Sequence, residues 1–309
     1  MGRLAVIFAG QGAQRPGMGK KLYETSPAAR SVFETAERVR PGTLRQCFEG
    51  TKQELSQTEN TQPCVFAVDL ACAAALRESG VDASGAAGFS LGEIAALAFT
   101  GILSDEDAFR LVCRRAELMG QCSRKRPGAM AALLGLGTTR AESICKEAGV
   151  WPVNYNCPGQ LVAAGEAEAV SALCTLAAQT GGKAVRLAVS GAFHSPLMSE
   201  ASDGLAEELK RYSLKKPAMP LYSNVTAEPY GSDAADLIAR QVKSPVLWQK
   251  TIENMAAAGF DTFVEAGPGT TLCGLIRRIL PHGNAFHAED PESLEQTVRQ
   301  IMEENHVKE

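Results

Sequence analysis

Residues 84–99 have the sequence SGAAGFSLGEIAALAF, and this stretch decides the fold class of the chain. The run 84–89, made mostly of small residues, predicts a short strand, and the run 92–99 predicts a helix directly after it. The pentapeptide Gly88–Gly92 between them follows the pattern G-x-S-x-G, in the strand–turn–helix context that a nucleophile elbow requires. Its glycines permit a sharp turn that exposes the serine while the helix N-terminus faces a developing oxyanion. Ser90 is therefore the candidate nucleophile of an α/β enzyme.

Strand-like and helix-like segments alternate along the 309 residues, which favours an α/β architecture with a mostly parallel sheet. After the basic linker Arg124–Gly128, the predicted order changes to β-α-β-β-α-β, the ferredoxin-like unit. We therefore expect a large domain formed by residues 1–126 and 190–309, with residues 127–189 inserted as a small ferredoxin-like domain.

Several further elements are predicted for the large domain from the same patterns. They are helices at 22–38, 62–79, 105–122 and 195–211, strands at 219–224 and 261–265, a helix ending near residue 280, and a peripheral helix over the last twenty residues.

Composition excludes several classes of function. The formal net charge of −4 argues against a nucleic-acid-binding protein, which needs a basic surface. No stretch approaches 18 consecutive apolar residues, and the N-terminal apolar run Leu4–Ala9 is too short for a signal peptide. The nine cysteines contain no C-x-x-C pair, so we expect a reducing compartment, the cytoplasm, and no metal site.

The general base has to come from a small set of candidates. The chain contains four histidines, and three of them, His282, His287 and His306, lie near the C-terminus. His194 instead follows the apolar strand 184–189, where it is well placed to face a site. A serine hydroxyl needs a base within hydrogen-bond reach. This favours His194, with His282 remaining open.

Arg115 is out of place in its predicted helix. Its neighbours one turn away on either side are all apolar: Leu111, Val112, Leu118 and Met119. Burying an unpaired guanidinium costs several kcal/mol, so an anion has to be supplied from elsewhere. That anion is either a carboxylate from another element or an acidic substrate held by the planar guanidinium. For a serine acyltransferase, the substrate would carry a dicarboxylic acyl group.

Two other classes of function compete with an acyltransferase. An esterase of the α/β-hydrolase or patatin type would use the same elbow, and a proofreading acyl hydrolase could share the scaffold, but none of these explains Arg115. A dinucleotide-binding protein is suggested by Gly10-Gln11-Gly12, but Arg15 stands where the fingerprint needs its third glycine.

Several motifs in the same order resemble those of the malonyl-CoA:acyl carrier protein transacylases and the related polyketide acyltransferase domains. The resemblance covers roughly residues 4–280. Its motifs are Phe8–Gln14, Gly88–Glu93, Arg115 with Met119, Asn154–Asn156 with Gln160, Gly191–His194, Ser223–Thr226, Ser244–Trp248 and Gly267–Gly269. The fold that it implies is a hydrolase-like α/β domain with a ferredoxin-like insertion.

The resemblance implies a role for each matching residue. Ser90 would be the nucleophile and His194 the base, and Arg115 would hold the free carboxylate of the malonyl group. The main-chain carbonyl of Gln241 would orient the histidine, which would explain the lack of an obvious acidic triad member.

The same resemblance implies the surroundings of the nucleophile. The backbone N–H groups of Gln11 and Leu91 would form the oxyanion hole. Phe193 belongs to a pattern associated with malonyl rather than methylmalonyl groups. Phe89 is a departure, because the family commonly has histidine before the nucleophile, and it bears on the shape of the substrate pocket.

The implied partners are malonyl-CoA, as substrate, and an acyl carrier protein, in fatty acid or polyketide synthesis. No tightly bound cofactor and no membrane contact are expected, and the enzyme is expected to be a monomer. Because carrier proteins are acidic as a class, we expect a local basic surface near the cleft. Its candidate residues are Arg124, Lys125, Arg126 and Lys183.

Overall fold

The structure is a computed structural model that describes residues 2–189 and 191–307. The strands in this part of the chain are β1 (Arg3–Phe8), β2 (Gly85–Gly88), β3 (Ala129–Leu134), β4 (Trp151–Cys157), β5 (Gln160–Gly165), β6 (Lys183–Arg186), β7 (Leu221–Tyr222), β8 (Phe260–Ala266) and β9 (Asn284–Ala288).

The α-helices of the first half are α1 (Lys20–Thr25), α2 (Pro27–Val39), α3 (Thr43–Glu49), α4 (Lys52–Leu55), α5 (Thr58–Glu78), α6 (Leu91–Phe99), α7 (Asp105–Lys125) and α8 (Thr138–Ala148). Those of the second half are α9 (Ala167–Gln179), α10 (Ser199–Leu209), α11 (Ala234–Arg240), α12 (Trp248–Ala257), α13 (Thr271–Ile279) and α14 (Pro291–Val307). Short 3₁₀ turns precede α10 and follow α11.

The large sheet has the strand order β7-β2-β1-β8-β9, and every neighbouring pair is parallel. β1 lies at its centre and is buried on both faces from Ala5 to Phe8, which is why its sequence is a continuous apolar run. The carboxyl ends of β1, β2, β7 and β8 meet at one edge of the sheet. In open α/β sheets this edge is where ligands bind.

The small sheet is antiparallel, with the strand order β4-β5-β3-β6. Together with α8 and α9 it forms the β-α-β-β-α-β unit, and the expected fold class is confirmed. Alternate residues of β3 point to opposite faces: Ala131 and Leu133 pack with α8 and α9, whereas Met130 and Ala132 join the core of the large domain. Both faces of β3 are therefore covered.

The elements of the small unit all lie between residues 127 and 189, so we retain these limits as proposed domain boundaries. Residue 190, where the second segment of the large domain is expected to begin, lies outside the described residues. β4 also hydrogen-bonds to the large domain, because Val246 N donates to Val153 O at 2.8 Å and Tyr155 N donates to Val246 O at 2.9 Å. No helix among the described residues is long and apolar enough to span a membrane.

Several elements differ from the sequence prediction. Helices α3, α4 and α11 were not predicted, and the strand expected to reach residue 189 ends at Arg186. The helix predicted at 22–38 is two helices, because Ser26 caps α2 through its side chain and Pro27 occupies the first helical position. The strand predicted at 219–224 is only the two-residue β7. The edge strand β9 was not predicted.

Candidate active site

Ser90 lies at the N-cap of α6 with φ 55° and ψ −104°, a backbone conformation that is costly for a residue with a Cβ. The flanking glycines make this turn possible. A Cβ on Gly88 would lie 2.0 Å from the carbonyl carbon of Gly92, and a Cβ on Gly92 would lie 2.3 Å from the carbonyl oxygen of Phe8. The elbow therefore needs glycine at both positions for close packing of the backbone.

Asn224, in the loop after β7, holds both sides of this turn. Its Nδ2 donates to the carbonyl of Gly88 at 2.6 Å, and its Oδ1 accepts from the backbone N–H of Ser90 at 2.8 Å. The loops after two neighbouring parallel strands thus support each other at the nucleophile.

His194 lies beside the nucleophile, with its Nε2 at 2.7 Å from Ser90 Oγ. Its Nδ1 lies 3.0 Å from the carbonyl oxygen of Gln241 and 3.2 Å from that of Ser244. Carbonyl oxygens only accept hydrogen bonds, so Nδ1 carries the proton and Nε2 accepts from the Ser90 hydroxyl. This is the tautomer that a general base requires. His282, the alternative base, is exposed after α13.

Burial and the positive charge of Arg115 together lower the pKa of His194 to about 4, although the two carbonyl acceptors oppose the shift. The imidazole is consequently neutral at pH 7 and available to take a proton.

Arg115 lies on the buried face of α7 and is 1% exposed. Its Nη1 donates to Gln62 Oε1 at 2.6 Å, and its Nη2 donates to Gln241 Oε1 at 2.7 Å and to Ser90 Oγ at 3.1 Å. Its Nε has no hydrogen-bond partner among the described residues. Burial lowers the pKa of Arg115 to about 10, so the guanidinium is still charged at pH 7.

The charge of Arg115 has no direct counter-ion in the described part of the chain, where its hydrogen-bond acceptors are two amides and a hydroxyl. The acid whose charge acts on it is Glu93, which lies beyond Gln241. Of the two sources of an anion considered above, a protein carboxylate in direct contact is thus absent from these residues. The guanidinium faces Ser90.

Glu93, Gln62 and Tyr230 were not singled out by the sequence analysis, although Glu93 closes one of the quoted motifs. Glu93 is buried in α6, all of whose other residues are apolar or small. Burial raises the pKa of Glu93 to about 6, although hydrogen bonds from Tyr230, Gln241 and the backbone of Asn224 oppose this increase. The carboxyl group is therefore mainly ionised at pH 7. The signal that could have found Glu93 is the one that found Arg115: a charge inside an apolar helix.

The two predicted oxyanion donors lie on the expected loops. Leu91 is the first residue of α6, where a backbone N–H has no acceptor within the helix. Gln11 follows β1 and lines a cavity of about 230 Å³, together with Asn154 and Gln160 from the small unit. This cavity lies between the two sheets and reaches Phe89, next to the nucleophile.

Phe89 and Phe193 occupy different surroundings. The ring of Phe89 packs edge-on against Trp248, with 5.5 Å between ring centroids, and lines the cavity. Phe193 is buried in the main core, where a Cβ on Gly191 would lie 2.8 Å from its ring. Phe89 therefore bears on the shape of the cavity.

The four basic residues expected to bind a carrier protein do not form one patch. Arg124 is paired with Glu59 and Lys125 with Glu200. Lys183 pairs in register with Leu134, at the far end of β3 from the linker that contains Arg126.

The chain is similar to proteins of one family. A family model described as acyl transferase domain matches residues 6–295. The malonyl CoA-acyl carrier protein transacylase of Bacillus subtilis is 38% identical over 314 residues, covering 99% of this chain and 99% of that protein. The crystal structure of the malonyl CoA-acyl carrier protein transacylase from Clostridium perfringens has a TM-score of 0.95 at 34% identity and covers 99% of both chains.

A malonyl-transacylase in complex with its type II PKS acyl-carrier protein has a TM-score of 0.93 at 34% identity, covering 96% of this chain and 99% of that chain. The chain thus belongs to the acyl transferase family, a class that matches its elbow serine and α/β fold. Within this class it is a member of the malonyl CoA-acyl carrier protein transacylases, as its motifs implied.

Proposed function

We propose that this enzyme transfers the malonyl group of malonyl-CoA to the phosphopantetheine thiol of an acyl carrier protein through a malonyl ester on Ser90. It would act as a cytoplasmic monomer in fatty acid or polyketide synthesis, without a tightly bound cofactor. The observation that carries the proposal is the buried Arg115, whose Nη2 lies 3.1 Å from Ser90 Oγ without a direct counter-ion among the described residues.

In the first half-reaction, Ser90 Oγ attacks the thioester carbonyl while His194 Nε2 takes its proton. The N–H groups of Gln11 and Leu91 would stabilise the oxyanion, and Arg115 would bind the free carboxylate. The carbon–sulfur bond then breaks, and the imidazolium returns the proton to the departing coenzyme A thiolate. The product is a malonyl ester on Ser90.

In the second half-reaction, the carrier thiol attacks this ester. His194 takes the thiol proton and delivers it to Ser90 Oγ as the ester bond breaks. The cavity between the two sheets, which reaches Phe89 beside the nucleophile, offers space for the rest of the thioester substrate. A carrier protein as partner is supported by the similar transacylase solved with its carrier.

The proposal is tested by incubating the enzyme with malonyl-CoA, digesting it and measuring peptide masses. We expect a malonyl increment on the peptide that contains Ser90, its loss on addition of a phosphopantetheinylated carrier protein, and no increment in Ser90→Ala. An unmodified Ser90 peptide in the wild-type enzyme would overturn the proposal. Release of free malonate instead of malonyl-carrier would identify the enzyme as an acyl hydrolase.

A further inference from the structure

The side chain of Gln241 contacts two of the groups in the proposed mechanism, beyond the main-chain carbonyl that binds His194. Its Nε2 donates to the carbonyl oxygen of Ser90 at 2.7 Å, and its Oε1 accepts from Arg115 Nη2 at 2.7 Å. One residue therefore links the nucleophile, the base and the guanidinium. The residue is 1% exposed, so no solvent replaces these contacts if they are lost.

The orientation of this amide is set by Glu93. Gln241 Nε2 also donates to Glu93 Oε2 at 2.7 Å. The other carboxylate oxygen of Glu93 accepts from Tyr230 Oη at 2.5 Å and from Asn224 N at 3.1 Å. An ionised carboxylate only accepts hydrogen bonds, so the NH₂ group of Gln241 has to face Glu93 and its oxygen has to face Arg115.

We propose that Glu93 positions Arg115, through the side-chain amide of Gln241, so that the guanidinium faces the acyl group on Ser90. Glu93 is a positioning residue that does not touch the substrate. This inference rests on the proposed malonyl transfer and assigns the residue that prepares the enzyme for an acidic acyl group.

The side-chain amide of Gln241 separates the charges of Glu93 and Arg115, and this separation keeps Arg115 available to a substrate. A carboxylate in direct contact with Arg115 would occupy the donors that a malonyl carboxylate needs. The side-chain amide of Gln241 lies between Glu93 and Arg115. At this distance the negative charge of Glu93 still compensates the buried positive charge, but Arg115 has no direct anionic partner among the described residues. The buried charge is thus stabilised without competition for the substrate.

The decisive variant is Glu93→Gln, which keeps the shape of the side chain and removes its charge. Its amide keeps an acceptor for Tyr230 and Asn224 only by turning its NH₂ group toward Gln241. Two NH₂ groups then face each other, so Gln241 rotates and presents a donor to Arg115, which displaces the guanidinium. We expect kcat/KM for malonyl-CoA to fall about tenfold to a hundredfold, the usual effect of losing a charge-assisted hydrogen bond.

An uncharged serine reagent, phenylmethylsulfonyl fluoride, supplies the reference reaction. Its rate of reaction with Ser90 depends on the nucleophile and base but needs no carboxylate site. We expect this rate in Glu93→Gln to fall less than the rate with malonyl-CoA, by about twofold to tenfold, because the hydrogen bonds lost at Ser90 itself are weaker than one to a charged carboxylate. The matched control is Asp69→Asn, a second buried carboxyl changed to an amide, which should alter neither rate.

Equal losses in the two reactions would assign Glu93 a general structural role and overturn the inference, as would an unchanged rate with malonyl-CoA. If Glu93→Gln does not fold, the same two rates are measured for Tyr230→Phe, because this variant removes one hydrogen bond that holds Glu93 in place. A selective loss with malonyl-CoA in Tyr230→Phe supports the inference, and equal or absent losses overturn it. Failure of the wild-type enzyme to take malonyl from malonyl-CoA would instead refute the proposed function.

Discussion

Arg115 contacts or acts on both partners of the proposed first proton transfer, Ser90 and His194. It donates a hydrogen bond to Ser90 Oγ, and its positive charge contributes to the low pKa of His194. Its two candidate roles, substrate binding and structural support, predict different results for the same substitution.

Arg115→Ala should reduce malonyl transfer about a hundredfold or more, because the proposed charge-assisted hydrogen bonds to the substrate carboxylate would be lost. Transfer of acetyl groups should be retained or should increase, since acetyl has no carboxylate. Initial rates with the two acyl-CoA substrates provide the measurement. Arg114→Ala is the control, since Arg114 lies on the exposed face of α7 and pairs with Glu117. A parallel loss of both activities would show that Arg115 is structural.

The pH dependence of Ser90 reactivity reports on His194. Because the folded pKa is lowered to about 4, the base stays neutral as pH falls from 8 to 5, and the labelling rate with phenylmethylsulfonyl fluoride should change little over that range. In Arg115→Ala, His194 is less buried and no longer lies near the positive charge of Arg115, so its pKa rises. The fall of the labelling rate on the acidic side of the pH profile therefore moves to higher pH. A wild-type rate that falls by half near pH 6.5 would contradict the lowered pKa.

At the scale of elements, the elbow between β2 and α6 depends on how closely α6 approaches β1. Gly92 lies against the carbonyl oxygens of Phe8 and Ala9, so α6 can start beside the central strand only without a side chain at this position. The elbow therefore joins the nucleophile to the core of the large sheet.

Gly92→Ala should destabilise the fold by about 1–3 kcal/mol, since the added methyl group displaces backbone in a packed core, and should also reduce Ser90 labelling. Thermal unfolding is the measurement. Gly274→Ala in α13 is the control, because its added Cβ meets nothing within 4 Å and alanine favours a helix, so its Tm should be unchanged or higher. An unchanged Tm in Gly92→Ala would mean that the elbow tolerates a wider turn.

Element types were predicted well where the pattern is local, and less well at boundaries and edges. The small unit was predicted from the order of its strand-like and helix-like segments. The break between α1 and α2 depends on one Ser-Pro step inside an otherwise helical pattern. β9 is a short strand that is stabilised by pairing with β8, a contact that no local pattern encodes.

At the scale of the whole molecule, α5 carries a buried carboxyl against the loop after β8. Asp69 is 0% exposed, and neither of its oxygens has a hydrogen-bond partner among the described residues. Burial raises its pKa well above the usual range, and the nearby charge of Glu265 raises it further. The native state therefore holds a proton that the unfolded state releases.

Asp69→Asn should raise stability at pH 8 and should have little effect near pH 4. A raised folded pKa means that the native state binds more protons than the unfolded state, so wild-type stability falls as pH rises from the unfolded pKa of about 3.8 toward the folded value. The amide has no proton to lose and avoids this fall. Tm values of both proteins from pH 4 to 8 test this, and a constant difference across the range would contradict it.

The sequence by itself determined the α/β class, the inserted unit, the elbow at Ser90 and the burial of Arg115. Each of these depends on residue types a few positions apart, since the periods of strands and helices and the positions of glycines act locally. It also indicated His194, but left His282 open.

Tertiary structure alone decided what surrounds these residues. Arg115 meets the side chains of Gln62 and Gln241, which lie 53 and 126 positions away along the chain. Glu93 is connected to Arg115 through Gln241. Such partners depend on how α5, α6, α7 and the turn after α11 pack together, and a local pattern shows that a charge is buried without showing what compensates it.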